Sequence, residues 1–227
     1  MSGLKLFTDP ISQPCRAVMI LLDINKIQFE TVLIQILKGE HKTNQELKAV
    51  NPNCLIPALL DGTFSLYESG AILRYICNTR PVADNWYPKD PKIRAKVDQY
   101  LDWHHSAIRI STVWFLAQYV SKKPPSDPEI VKVKEKLVAS LTILDSHTLK
   151  ENKFIAGENI SIADLQLLCE LSEFWIVNKN IYAGFQRIEE WVKNCVELLN
   201  PHFDHNNAAI MQLKESGALG SDPDPLK

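Results

Sequence analysis

A hydroxyl group that could hold an anion lies near the start of the chain, in the segment Ser-Gln-Pro-Cys-Arg over residues 12–16. The segment separates an alternating run over residues 4–8 from an apolar stretch over residues 17–22, which predicts a strand followed by a helix. A helix N-terminus presents unpaired N–H groups and the positive end of the helix dipole, so Ser12 could donate one more hydrogen bond to a negatively charged atom. Ser is also a favoured N-cap and Pro suits the first helical turn, so these residues could instead serve only to begin the helix.

Cysteine chemistry is a rival interpretation of the same segment. Cys15 follows Ser12 at the spacing of a redox-active Cys-x-x-Cys pair whose first cysteine is replaced by serine. A disulfide reductase needs the leading thiolate as its nucleophile, so we expect Cys15 to be a buried small apolar residue instead. The five cysteines form no Cys-x-x-Cys pair and no Cys/His zinc spacing, which predicts free thiols, a reducing compartment and no bound metal.

Three further segments carry residues that could bind a ligand, each with a structural alternative. Pro57, in Asn-Pro-Asn-Cys-Leu-Ile-Pro-Ala-Leu over residues 51–59, could simply break an edge strand. Glu68 and Ser69 precede an apolar run and could be the acidic and capping residues of a helix start. His41 and Lys42, in a polar stretch, could be solvated surface side chains.

Taken together and in chain order, the segments at residues 12–16, 51–59 and 67–70 resemble the glutathione transferase family, and most of all its theta class. The resemblance continues through Trp-Tyr-Pro at residues 86–88, the predicted helix over residues 94–103 and Ile-Ser-Ile-Ala-Asp-Leu at residues 160–165. It covers nearly all of the chain up to about the last fifteen residues. No one of these motifs is specific, but five of them in the right order are.

The resemblance implies a site for glutathione, an anionic tripeptide with a thiol. Ser12 would activate the thiol by donating a hydrogen bond that lowers its pKa. Pro57 would be cis, which lets the backbone of Ile56 pair with the cysteinyl part of the ligand. Ser69 and its helix N-terminus would hold the γ-glutamyl carboxylate, while Glu68 faces the γ-glutamyl amine.

The resemblance also assigns roles at the edge of this site. His41 and Lys42 would grip the glycyl carboxylate, and Arg109 would aid thiolate formation or steady a leaving halide. Arg109 could equally be an ordinary surface side chain. Three aromatic residues could line the electrophile pocket, although core packing would explain them equally well: Trp114, Phe115 and Tyr119. The chain lacks the basic residue that usually precedes the Val/Ile-Pro, since residues 53–55 are Asn-Cys-Leu, so a charge that could help hold glutathione is absent.

The elements that must position these residues follow two patterns. Residues 4–76 read as strand, helix, strand, polar stretch, strand, hairpin and helix, with Asp-Gly at residues 61–62 suited to a tight turn. From about residue 90 the apolar period becomes helical, and Ser161 with Asp164 fits a capping box. With the resemblance, this predicts an α/β thioredoxin-like N-terminal domain plus an all-α C-terminal helical domain, the glutathione transferase fold.

The domain limits follow from residues that interrupt the regular pattern. A stretch with two prolines over residues 80–88 marks a connection. We therefore expect a thioredoxin-like glutathione-binding domain over residues 1–82, a linker over 83–90 and a helical domain with the electrophile pocket over 91–227. The tail from residue 216 has too little apolar content to pack, so we expect it to be mobile and not to cover the site.

Composition and charge limit the kinds of binding partner and the cellular compartment that we expect for this protein. The formal net charge is −2 without a long run of one sign, which argues against nucleic acid and a polybasic membrane surface. Residues 17–22 are too short to span a bilayer, and the start lacks the pattern of a signal peptide, so a cytoplasmic protein is expected. The resemblance implies a homodimer that uses glutathione as co-substrate and no other cofactor.

The predicted activity is conjugation of the glutathione thiolate to small hydrophobic electrophiles, such as alkyl halides and epoxides, in detoxification. Two alternatives stay open at this point. The same site could support glutathione-dependent peroxide reduction or dehalogenation. The chain could also be a binding module that keeps the fold without turnover, because a fold does not by itself imply a function.

Overall fold

The computed structural model describes residues 3–124 and 126–220. The N-terminal part contains β1 (Leu4–Thr8), α1 (Gln13–Ile24), β2 (Phe29–Leu33), α2 (Gln45–Val50), β3 (Ala58–Asp61), β4 (Phe64–Tyr67) and α3 (Ser69–Thr79). The C-terminal part contains α4 (Pro91–Ala107), α5 (Ile110–Phe115), α6 (Pro128–Ile143), α7 (Ile162–Ser172), α8 (Gln186–Leu199) and α9 (His202–Ser216). Short 3-10 turns over Ile36–Lys38, Glu40–Lys42, Asp84–Trp86 and Glu173–Val177 connect several of them.

The four strands form one mixed sheet in the order β2-β1-β3-β4. β1 is parallel to β2, and α1 makes the crossover that a parallel pair requires. β3 runs antiparallel to both β1 and β4, with Gly62 at φ 64° in the tight turn between β3 and β4. The predicted thioredoxin-like arrangement of the N-terminal part is confirmed.

Helix α1 joins the sheet to the helical part. Most of its apolar side chains are buried, and the helix packs against α7. Arg16 is fully buried, and its guanidinium donates hydrogen bonds to the carbonyl oxygens of Ile11 and Cys169, each at 3.0 Å. Because an arginine fork can satisfy several fixed acceptors at once, Arg16 fixes the start of α1 relative to the end of α7.

Helix α7 lies at the centre of the helical part, with every one of its residues buried. Ser161 and Asp164 form the predicted capping box, in which each side chain serves the other residue's backbone. Asp164 also accepts a hydrogen bond of 2.9 Å from the Trp191 indole, which ties α7 to α8. None of the helices within residues 3–124 and 126–220 is long and apolar enough to cross a membrane.

Candidate active site

Two adjoining cavities lie where α1, α3, α5 and the loop before β3 meet. The polar cavity, of about 140 Å³, is bounded by Pro57, Glu68 and Ser69. The apolar cavity, of about 330 Å³, is bounded by Ser12 and by side chains of the helical part. Ile56 and Arg109 line both cavities. A ligand could therefore occupy the polar cavity and present a group to the apolar one.

The polar cavity is built from backbone conformations that are uncommon elsewhere. Glu68 precedes α3 with φ at 71°, a left-handed value that a residue with a side chain rarely adopts. Ser69 follows as the first residue of α3 and is buried. Its N–H group and hydroxyl stand at a helix N-terminus, an arrangement that suits a carboxylate.

The loop before β3 is held by Asn51, a residue that the sequence did not single out for this role. Its side-chain amide donates to the Leu55 carbonyl at 2.8 Å, and its side-chain oxygen accepts from the Asn53 N–H at 3.0 Å. The following Ile56–Pro57 peptide bond is cis, as the resemblance implies. Asn51 thus fixes the chain immediately before the cis bond.

Ser12 stands at the N-cap of α1, where it is 7% exposed and lines the apolar cavity. Within the described part of the chain its side chain makes no capping hydrogen bond to α1. Cys15 is fully buried, and burial raises the pKa of its thiol, although hydrogen bonds from Ser12 and Thr8 act in the opposite direction. A buried thiol with a raised pKa is a poor nucleophile, which disfavours thiol exchange.

Arg109 is held by a buried carboxylate that sequence reasoning missed. Its guanidinium donates to Glu170 Oε2 at 3.1 Å, and His104 Nε2 lies 3.0 Å from the same oxygen. Thr112 donates a hydrogen bond to Glu170 Oε1. Burial would raise the pKa of Glu170, but the hydrogen bond of His104 and the charge of Arg109 outweigh it and hold that pKa below its usual value.

The Glu170 network fixes Arg109 at the boundary of the two cavities. The one feature of the sequence that indicates this network is a glutamate, Glu170, in the apolar stretch of α7, because a buried glutamate needs partners. Gln13 adds a link between the domains, because its amide donates to the Thr112 hydroxyl at 2.6 Å. Gln13 follows Ser12 directly and Thr112 lies three residues after Arg109, so this hydrogen bond links the segments that carry the two predicted catalytic residues.

Of the two residues assigned to the glycyl carboxylate, only His41 lies at these cavities. His41 lines the apolar cavity, and its Nδ1 is buried without a hydrogen-bond partner among residues 3–124 and 126–220. Lys42 is the next residue of the same 3-10 turn, and it lines neither of the two cavities. The turn therefore directs only one of its two basic side chains towards the site.

Of the three aromatic residues expected to line the electrophile pocket, one lies at the apolar cavity. Phe115 lines the apolar cavity, but Trp114 and Tyr119 do not. Trp114 is 0% exposed and packs against the Phe174 ring at 4.8 Å between centroids, and Tyr119 packs against the same ring at 6.1 Å. Both rings are buried in the helical core, and the Tyr119 ring also contacts the Phe115 ring, with 5.3 Å between centroids.

The C-terminal segment also differs from the expectation. Leu213 of α9 and Leu219 beyond it both line the apolar cavity. Gly217 ends α9 with φ at 63°, and this left-handed residue lets the chain turn so that Leu219 packs against the core. The part of the tail over residues 217–220 therefore contributes to the site. The expectation for residues 221–227 lies outside the described residues.

Comparison with known proteins gives the class. The family model for the glutathione S-transferase N-terminal domain matches residues 2–78, and the model for the C-terminal domain matches residues 109–198. Glutathione S-transferase T1 of Arabidopsis thaliana is 37% identical over 226 residues, which cover 95% of this chain and 92% of the relative. Human glutathione S-transferase theta-1 is 36% identical over 194 residues, which cover 83% and 80%.

Solved structures agree with these relatives. A crystal structure of human glutathione transferase theta-2, in complex with glutathione and an unknown ligand, has a TM-score of 0.89 and 30% sequence identity, covering 98% of this chain and 93% of that chain. The chain belongs to the glutathione S-transferase family, in its theta class. Its fold and its enzyme class are those predicted from the sequence.

Proposed function

We propose that this enzyme conjugates the glutathione thiolate to small hydrophobic electrophiles. The observation that carries the proposal is the junction of the two cavities at Ile56 and Arg109. A tripeptide with charged ends suits the polar cavity, and its thiol would then face the apolar cavity beside Ser12. An apolar electrophile in that second cavity would be held next to the thiolate, which is the main catalytic contribution of proximity.

The role proposed for Ser12 is hydrogen-bond donation, because a serine hydroxyl has too high a pKa to act as a base at neutral pH. A donor beside a helix N-terminus favours the thiolate over the thiol. Each unit by which the thiol pKa falls corresponds to about 1.4 kcal/mol of preference for the thiolate. Arg109, held by Glu170, would add a fixed positive charge near the reacting atoms.

Glutathione itself would be held along the polar cavity. Ile56 would pair with its cysteinyl backbone, while Ser69 and Glu68 would take the γ-glutamyl carboxylate and amine. His41, whose buried Nδ1 has no partner in the described part of the chain, is the group we assign to the glycyl carboxylate. Lys42 would contribute only a more distant positive charge.

We further propose a cytoplasmic homodimer that acts in detoxification. The dimer is supported by β4, an edge strand on which Phe64 is 47% exposed, since an exposed apolar edge is usually covered by a partner. The domain limits 1–82, 83–90 and 91–227 remain a proposal, supported by the gap between the end of α3 at Thr79 and the start of α4 at Pro91.

Binding to immobilised glutathione, followed by turnover assays with alkyl halides, epoxides and hydroperoxides, tests the proposal. Binding together with conjugation of a halide or an epoxide is the expected result. Turnover of hydroperoxides alone would favour the peroxidase alternative. Binding without any turnover would favour a binding module. The absence of both binding and turnover would contradict the proposal.

A further inference from the structure

Besides Glu170, the acidic residue Glu173 is buried at this site. It lies in the wall of the apolar cavity and has no role in the function described above. It begins the 3-10 turn over Glu173–Val177 that follows α7. Its side chain lines the cavity together with Ser12 and with aliphatic residues such as Ile176 and Leu116. Glu173 is 7% exposed, and its Oε2 has no hydrogen-bond partner among residues 3–124 and 126–220.

The charged groups around Glu173 do not provide it with a close partner. Arg16 of α1 is the nearest cation, with Nη2 3.9 Å from Glu173 Oε2, which is too long for a hydrogen bond. The Arg16 fork is already bonded to backbone carbonyls, as described above. Glu170 faces Glu173 from α7 with a like charge, and Arg109 faces it from the start of α5.

Under these conditions the neutral form of Glu173 is favoured. Burial raises the pKa of Glu173 to about 8, the charge of Glu170 raises it further, and the charges of Arg16 and Arg109 oppose the change. At neutral pH the carboxyl group therefore keeps its proton in most molecules. A protonated carboxyl group in a cavity wall is a hydrogen-bond donor and an acid.

We propose that Glu173 is the general acid that protonates the leaving oxygen of electrophiles such as epoxides and organic hydroperoxides in the apolar cavity. This inference rests on the proposed function, because it requires the glutathione thiolate as the nucleophile. A general acid affects electrophiles differently according to the atom that leaves. A halide leaves as a stable anion and takes no proton, whereas an alkoxide needs one.

For an epoxide, the thiolate sulfur forms a bond to a ring carbon and the carbon–oxygen bond breaks. The electron pair of that bond goes to the oxygen, which takes the proton of the Glu173 carboxyl group. The product is a hydroxylated thioether, and the Glu173 carboxylate regains a proton from water. General acid catalysis of this kind contributes about 100- to 10,000-fold to a rate.

For a hydroperoxide, the thiolate sulfur attacks the terminal peroxide oxygen and the oxygen–oxygen bond breaks. The alkoxide that leaves takes the Glu173 proton and becomes an alcohol. The sulfur is oxidised to a sulfenic acid and the peroxide is reduced. A second glutathione thiol then reacts with the sulfenic acid to give glutathione disulfide and water.

Three electrophiles that share a phenyl group test the proposal: benzyl chloride, styrene oxide and cumene hydroperoxide. The variant is Glu173→Gln, which keeps the shape and the neutral state of the side chain but removes the acid. The control is Glu197→Gln, on an exposed side chain of α8 that pairs only loosely with Lys193 at 3.9 Å. We expect Glu173→Gln to lower the ratio of kcat for styrene oxide to kcat for benzyl chloride by about 100-fold or more.

The ratio of kcat for cumene hydroperoxide to kcat for benzyl chloride should also fall in Glu173→Gln. Neither ratio should change in the control Glu197→Gln. Equal losses with all three electrophiles would mean that Glu173 is only structural and would overturn the proposal. If the wild-type enzyme turns over benzyl chloride but neither oxygen-leaving substrate, the proposal for Glu173 fails and the proposed function stands. If no electrophile is turned over, the proposed function fails first.

A measurement on the wild-type enzyme does not depend on the folding of any variant. The ratio of kcat for styrene oxide to kcat for benzyl chloride should decline as the pH rises through about 8, since Glu173 then loses its proton. Taking a ratio cancels the effect of pH on thiolate formation, which both reactions share. A ratio that is constant from pH 6 to 9 would overturn the proposal.

Discussion

Replacement of Glu170 by glutamine should destabilise the protein in a pH-dependent way. Glu170 is fully buried, accepts hydrogen bonds from Arg109 and Thr112, and lies within 3.0 Å of His104 Nε2. Loss of one partner from a buried ion pair costs about 3–5 kcal/mol when the other charge stays buried. Arg109 is 36% exposed in its side chain, so water can solvate it, and the amide oxygen of glutamine can still accept.

We therefore expect Glu170→Gln to lower the free energy of unfolding at pH 7 by about 1.5–3 kcal/mol, the range for a hydrogen bond to a charged group. The pKa of Glu170 is lowered by folding from its ordinary value of 4.5. The stabilisation from its charge is thus complete above pH 4.5 and is lost as the pH falls through the lower, folded-state pKa.

Urea unfolding at pH 7, and again at a series of pH values below 4.5, measures both effects. The difference between wild type and Glu170→Gln should shrink as the pH falls. Glu197→Gln, which changes an exposed side chain, should alter stability by less than about 0.5 kcal/mol at every pH. Equal stability of Glu170→Gln and wild type at pH 7 would refute the role given to the Glu170 network.

Three further predictions concern individual contacts. Ser69→Ala should weaken glutathione binding by about 1–3 kcal/mol, the cost of leaving a buried polar group without its hydrogen-bond partner, as measured by calorimetry. Thr79→Ala, at the other end of α3, is the control and should not weaken binding. Equal dissociation constants for wild type and Ser69→Ala would show that Ser69 only begins its helix. Leu219→Ala should raise KM for a bulky apolar electrophile about fivefold, since about 1 kcal/mol of apolar burial is lost. Leu198→Ala, which changes an exposed leucine, is its control. An unchanged KM in Leu219→Ala would exclude Leu219 from the site. Cys15→Ser should keep most of the turnover in steady-state assays, because the thiol is buried, and complete inactivation of a folded variant would favour thiol exchange.

Much of the fold could be predicted because its signals are local. The alternating run over residues 4–8 and the Asp-Gly turn at residues 61–62 identify strands from a few neighbouring residues. Ser161 and Asp164 are three residues apart, so their capping box is also readable from the sequence. The assignment to the family required several such segments in order, which the chain provides.

The rest depends on contacts between distant elements. Glu170 meets His104 and Arg109 only after α4, α5 and α7 have packed together, and no spacing along the chain signals that contact. The directions of Trp114 and Phe115 differ because each faces a different side of α5, which periodicity over six helical residues does not decide. After Gly217 the apolar residues Ala218, Leu219 and Leu226 are too few and too scattered to give a periodic signal.

The ionisation of glutathione bound to the enzyme tests the central claim most directly. Ultraviolet absorbance of the thiolate, followed over a pH series, gives the pKa of the bound thiol in the wild type, in Ser12→Ala and in the control Ser106→Ala, an exposed hydroxyl on α4. A hydrogen bond to a charged group contributes about 1.5–3 kcal/mol, so Ser12→Ala should raise that pKa by about 1–2 units while Ser106→Ala leaves it unchanged. The same thiol pKa in wild type and Ser12→Ala would contradict the assignment of Ser12 as the group that stabilises the thiolate.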